Sequence, residues 1–130
     1  MKYDFLIKEA LEAQKSSYAP YSHFNVGAAL LTNDGKVYKG CNVENSSYGA
    51  TICAERVALG NAISDGKRSF SAIAIVGGKD LSHCEMAIPC GMCLQVMSEH
   101  CSDDFEIVLC KGEEIKVYKL CELLPNRFKL

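Results

Sequence analysis

Five residues of this chain have the types and spacing to do chemistry together: Cys53, Glu55, Arg56, Cys90 and Cys93. They sit in two segments, Thr51-Ile52-Cys53-Ala54-Glu55-Arg56 and Ile88-Pro89-Cys90-Gly91-Met92-Cys93-Leu94-Gln95. Cys90 and Cys93 are three apart. At the start of a helix that spacing puts both sulfurs on one face, within reach of one ion. Cys53 stands at the start of a second helix. Three thiolates make a tripod for zinc and leave the fourth tetrahedral position open, which separates a catalytic zinc from a closed structural one. Glu55 gives such a site a reaction. Residues two apart in mid-helix point to nearly opposite faces, so Cys53 and Glu55 converge only if Cys53 sits at or just before the first turn. Zinc lowers the pKa of water it binds to about 7, and a carboxylate beside it can carry the proton to a substrate.

Three thiolates and one divalent cation sum to a net negative charge, which weakens the ion as an acid. Two features offset this. Both ligand groups lie at helix N-termini, where unpaired N–H groups and the dipole favour anions. Arg56 can also donate hydrogen bonds to the sulfurs and draw off charge. A lone C-x-x-C equally fits a redox pair, half of a structural zinc site or two core thiols. The register with Cys53, Glu55 and Pro89 is what favours catalytic zinc.

The elements that must position these residues can be read from periodicity. Residues 3–16 carry apolar residues at spacings of three and four, an amphipathic helix, which the Pro20 and serine cluster ends. Residues 25–32 read as a buried strand. Asn33-Asp34-Gly35 supplies hairpin-turn chemistry, and residues 36–43 return as a second strand. A polar loop over 44–52 precedes a helix over 53–64. Residues 71–76 form an apolar strand closed by Gly77-Gly78. A loop with Pro89 leads into a helix over 91–100. Strands over 105–110 and 115–119 follow, then one helical turn over 120–124 before Pro125. The order α-β-β-α-β-α-β-β-α predicts one five-stranded sheet with helices on its faces. Its loop-to-helix junctions on one sheet edge would hold the ligand.

The 130 residues suit one domain, 1–130, with one core. Hydrophobic residues make up 48% and charged residues 23%, which argues against disorder. Fourteen basic and sixteen acidic side chains give a net charge of −2, with no basic stripe for a nucleic acid. Apolar runs reach only about six or seven residues, against the roughly 20 needed to span a membrane. The opening Met1-Lys2-Tyr3-Asp4-Phe5 lacks the apolar core of a secretory signal. The expectation is therefore a soluble, cytoplasmic protein whose eight cysteines stay reduced. Cys41 and Cys110 then read as small core residues. Cys84, Cys101 and Cys121 read as plain thiols rather than ligands, and His23, His83 and His100 as non-ligands.

The C-A-E-R run, with P-C-G-x-C-x-Q placing Cys90 37 positions after Cys53, resembles the cytidine deaminases, specifically their small homotetrameric three-cysteine type. The resemblance covers nearly the whole chain. It includes Tyr18-Ala19-Pro20-Tyr21-Ser22, Phe24-Asn25-Val26-Gly27-Ala28-Ala29, Asn42-Val43-Glu44-Asn45 and Glu122-Leu123-Leu124-Pro125. It implies a three-layer α/β sandwich, with a five-stranded mixed β-sheet flanked by helices. It implies one zinc per chain on Cys53, Cys90 and Cys93, with Glu55 shuttling protons. It implies that Phe24 packs on the pyrimidine, that Asn42 and Glu44 bind the ribose, and that the Ala54 backbone meets the pyrimidine carbonyl. Tyr48 and Phe128 match positions that reach into a neighbouring subunit. The implied reaction is deamination of cytidine and 2′-deoxycytidine in pyrimidine salvage. The chain departs from the family at Leu94, where Arg is usual.

Read without the resemblance, Phe24 is a core aromatic, Asn42 and Glu44 a solvated strand end, Tyr48 a surface aromatic and Phe128 a staple for the C-terminus. Two other functions compete. One keeps the chemistry but takes an aminoglycosyl-nucleoside antibiotic or a base in nucleic acid. The other is a structural zinc module in which a fourth protein ligand, such as Cys84, closes the site.

Overall fold

The computed structural model describes residues 2–81, 84–128 and 130. Helix α1 (Asp4–Gln14) is followed by strands β1 (Asn25–Thr32) and β2 (Val37–Cys41). Helix α2 (Ala54–Ser64), strand β3 (Phe70–Gly78) and helix α3 (Gly91–His100) come next. Strands β4 (Glu106–Lys111) and β5 (Glu114–Lys119) and the short helix α4 (Leu120–Leu123) complete the fold. The order matches the expected one, with boundaries moved by at most two residues. The exception inside the 44–52 loop is a single 3-10 turn, Tyr48–Ala50. Backbone bonds between Val43 and Ile52 pin the ends of that loop.

The strands form one sheet in the order β2-β1-β3-β4-β5. β1 is antiparallel to both β2 and β3. β3 and β4 are parallel and β4 and β5 antiparallel, so the sheet is mixed. The parallel pair requires a crossover, which α3 supplies. Side chains alternate between the faces as the pleat demands. Ala28, Leu30, Ile73, Ile75, Ile107 and Leu109 pack with α2 and α3. Ala29, Ala72, Ala74, Val76 and Val108 pack with Leu6 and Ala10 of α1. Helices thus cover both faces, giving the three-layer α/β sandwich.

Because β2 and β3 both run against β1, they run the same way. Their C-terminal ends open on one edge of the sheet, and α2 and α3 begin there. Two glycines let the helices close onto the sheet. A Cβ at Gly40 would stand 2.4 Å from the Ala58 nitrogen and 2.5 Å from the Ala54 oxygen, both in the α2 backbone. At Gly27 it would stand 2.1 Å from the Ala10 oxygen in α1.

The cysteines correct one expectation. Cys84 and Cys110 form a disulfide, so the eight thiols are not all free. Parallel pairing of β3 and β4 brings the start of the loop after β3 beside the end of β4. A bond there also denies Cys84 to the metal cluster. The other six cysteines are free thiols.

The glycine contacts predict opposite effects within one helix–sheet contact. Gly40→Ala should destabilise the protein by about 3 kcal/mol through overpacking against backbone. Gly60→Ala, on the open side of α2 with nothing near its Cβ, should stabilise by about 0.5–1 kcal/mol. Urea unfolding of both variants measures the contrast.

Candidate metal centre and active site

Cys53 is the N-cap of α2, in extended conformation (φ −72°, ψ 152°). Its carbonyl already accepts the Arg56 and Val57 N–H groups. Cys90 caps α3 in the same way (φ −70°, ψ 168°), and its carbonyl accepts the Leu94 N–H at 2.9 Å. Cys93 lies in the first turn of α3, so its sulfur comes to 3.5 Å from that of Cys90. All three sulfurs lie within 4.8 Å of one another. Among the described residues no other group of three or more His, Cys, Asp or Glu side chains gathers in this way. His23 and His100 are outside the cluster, and His83 lies outside the described residues.

The electrostatics suit a cation. Among the thiols themselves, Cys53 is pulled down to about 5, first because the Cys93 thiol donates to it and then because Arg56 stands beside it. Cys93, the donor, is pushed up for the same reason. Arg56 reaches the Cys53 sulfur at 3.7 Å from Nη2 and the Thr51 carbonyl at 3.3 Å. Its Nε is buried with no protein partner. A fixed guanidinium with spare donor capacity, beside three converging sulfurs at two helix N-termini, is an environment built for thiolates. Soft sulfur donors in this number fit zinc, and Cys53, Cys90 and Cys93 are positioned to hold it.

Glu55, in the first turn of α2, is 6% exposed. Burial raises its carboxyl to about 6, with the Cys53 charge adding to the rise. With Cys53 at the cap rather than inside the helix, Cys53 and Glu55 face one cavity of about 560 Å³. Phe24, Asn42, Glu44, Ala54 and Cys90 line it too. The Phe24 ring lies over Gly77, where an added Cβ would stand 2.8 Å from ring carbon Cε2. Ala54 is the first helical residue of α2, so its N–H has no partner within the helix.

Asn42 and Glu44 are structural as well as cavity-lining. The Asn42 amide donates to the Phe24 carbonyl at 2.9 Å and accepts the Val26 N–H at 3.0 Å. Ser17 also donates to it. The Glu44 carboxylate accepts the Tyr21 and Ser22 N–H groups at 3.0 and 3.1 Å and the Ser22 hydroxyl. These bonds hold its carboxyl below the usual carboxylate range, the Ser22 hydroxyl foremost. Both residues lie just past the end of β2 rather than within it.

Tyr48 and Phe128 do not join the cavity within one chain. They are 81% and 66% exposed. Arg127 anchors the tail beside Phe128. It donates to the Ser98 and Cys101 carbonyls at the end of α3, at 3.1 and 2.8 Å, and pairs with Asp103 at 2.9 Å. Leu94 is buried in the core cluster, so at this position the fold has an apolar contact rather than a cation. Reading for chemistry missed several cavity residues: Ser22, Thr51, Met86, Ala87 and Ile88. Of these only Ser22 and Thr51 carry polar side chains, and no spacing marks them.

The chain matches the zinc-binding region of cytidine and deoxycytidylate deaminases over residues 1–109. It is 46% identical to the cytidine deaminase of Halalkalibacterium halodurans over 129 residues, 98% of this chain and 95% of that one. A crystal structure of cytidine deaminase from Burkholderia pseudomallei superposes with a TM-score of 0.89 at 47% identity. That match covers 98% of this chain and all of the other. The blasticidin-S deaminase of Bacillus cereus is further away, at 30% identity over 95% of this chain and 89% of that one. The three converging sulfurs, the buried carboxylate beside them and these matches agree: the chain belongs to the zinc-dependent cytidine deaminase family.

Proposed function

We propose that this chain, working as one domain, catalyses hydrolytic deamination of free cytidine and 2′-deoxycytidine to uridine and 2′-deoxyuridine, releasing ammonia. The observation that carries this reading is the meeting of three sulfurs within 4.8 Å and a buried carboxyl at the wall of a nucleoside-sized cavity. The closed structural-zinc alternative has no support, since Cys84 is bonded elsewhere. The net charge of −2 speaks against a nucleic-acid substrate. A cytoplasmic role in pyrimidine salvage follows from the free-nucleoside reading.

Zinc held by Cys53, Cys90 and Cys93 supplies Lewis-acid activation of water. The chain does the rest. Glu55 takes a proton from the attacking water and delivers it to ring N3 as the oxygen bonds to C4. It then takes the proton of the new C4 hydroxyl and passes it to the departing amine, so that the C4 carbonyl forms, water has entered and ammonia leaves. Burial, which raises Glu55 to about 6, brings it nearer the working pH of an acid–base catalyst. The Phe24 ring forms a wall for the pyrimidine, and the Ala54 N–H is free for the pyrimidine carbonyl. Glu44, already fixed by Ser22 and Tyr21, keeps acceptor capacity for a ribose hydroxyl, and Asn42 braces the same edge. Tyr48 and Phe128, exposed in one chain, complete the site of a neighbour in a homotetramer.

Purified protein should turn over cytidine, followed by ultraviolet absorbance and ammonia release, and leave single-stranded DNA unchanged. The reverse preference would overturn the substrate assignment. Two substitutions divide the roles. Glu55→Gln should retain zinc and lose about 10²–10⁴-fold in kcat. Arg56→Ala should lose about 10–100-fold in zinc affinity or turnover, measured by metal content and steady-state rates.

If neighbouring subunits share the site, specific activity should fall when the protein is diluted until sedimentation shows monomers. Full activity from a monomer would remove the shared-site reading.

A further inference from the structure

The metal centre leaves two cysteines without a part in it. Cys84 and Cys110 are joined, with their Cα atoms 6.3 Å apart and 26 positions between them in sequence. The bond lines a second cavity of about 610 Å³, on the α1 side, with Ile7, Leu11, Leu81 and Ile115. Cys84 is partly exposed and Cys110 is buried, so one sulfur of the pair is the accessible one. Cys84 also begins the short segment that ends at the metal-ligating Cys90. Within that segment Met86, Ala87 and Ile88 form a wall of the nucleoside cavity.

We propose that Cys84–Cys110 is a reversible thiol–disulfide site, opened by a small thiol through the second cavity, and that it fixes the loop carrying one cavity wall and one zinc-ligating sulfur. The proposal rests on the reading of that loop as part of the active site. A small-molecule thiolate attacks Cys84 Sγ and the disulfide breaks. Cys110 leaves as a thiolate and takes a proton. A second small thiol then attacks the mixed disulfide and frees Cys84 as a thiol. Two electrons and two protons pass to the protein, and two small thiols leave as their disulfide. Glutathione disulfide reverses the sequence.

The coupling follows from how the loop is tied. At the Cys84 end there are the disulfide, a Gly112 N–H donated to the Cys84 carbonyl at 2.8 Å, and a Glu85 N–H donated to the Gly77 carbonyl at 2.7 Å. At the other end stands Cys90. The residues between, Glu85 to Pro89, span at most about 3.5 Å each. A segment that short cannot absorb new freedom at Cys84 without passing it to Met86–Ile88 and to the Cys90 sulfur. Among the described residues, opening the bond leaves that end held by the two backbone hydrogen bonds and by the packing of Met86 and Ala87 on the core.

The test uses zinc-loaded, full-length protein. After treatment with glutathione disulfide, alkylation under denaturing conditions should label six of the eight cysteines, with peptide mapping placing the link between Cys84 and Cys110. Dithiothreitol should raise the count to eight. Reduced protein, Cys84→Ser and Cys110→Ala should each release zinc to a chromophoric chelator several-fold faster than the oxidised form. Each should also show a several-fold higher KM for cytidine, with kcat within about two-fold. Eight labelled cysteines in the oxidised sample, a link to another cysteine, or zinc release unchanged by reduction and by both substitutions would overturn the proposal. Labelling and zinc release decide it without turnover, so failure of the substrate assignment would be visible separately.

Discussion

Everything in this molecule is arranged around the cost of bringing three thiolates together. Their mutual repulsion is met by a cation, by two helix N-termini and by one guanidinium. Cys53 and Cys90 occupy N-caps, so each sulfur stands where backbone N–H groups lack partners. Arg56 adds a charge that is held in place by the Thr51 carbonyl. Glu55 is then left as the one buried carboxyl beside an anionic cluster, and both burial and the Cys53 charge raise it. Burial foremost, and the Cys53 charge beside it, thus raise to about 6 the carboxyl we propose as the proton carrier.

The sheet serves this constraint. β1 pairs with β2 on one side and β3 on the other, antiparallel to each, and both helices therefore start on one edge. Gly40 and Gly27 let α2 and α1 approach the strands at backbone distance. The cavity is roofed and walled by residues with other duties. Asn42 stitches Phe24 and Val26 to the end of β2, and Glu44 orders Tyr21 and Ser22.

Much of this was legible in the sequence because it is local. Asn33-Asp34-Gly35 places the hairpin, and Gly35 takes the positive φ of 89° that the turn needs. The continuous apolar run of β3 marks a strand buried on both faces. Cys-x-x-Cys and Cys-x-Glu carry their geometry in their spacing once each is set at a helix start. The Cys84–Cys110 bond was not legible, because it depends on parallel pairing of strands separated by a helix. Met86, Ala87 and Ile88 carry no chemical signature, and only the path of the loop makes them cavity walls. The bonds of Asn42 and Glu44 to the backbone of residues 21–26 were equally hidden, since they arise where two chain segments cross.

The place of β1 between β2 and β3 also bears on how the metal centre comes into being. Cys53 follows the hairpin in the chain, whereas Cys90 and Cys93 follow β3, which lies on the far side of β1. A chain that ends at Cys53 carries only one of the three clustered sulfurs. The tripod is complete only where β3 lies beside β1 and α3 brings Cys90 and Cys93 to Cys53, so an ion held by all three sulfurs reports a closed central sheet.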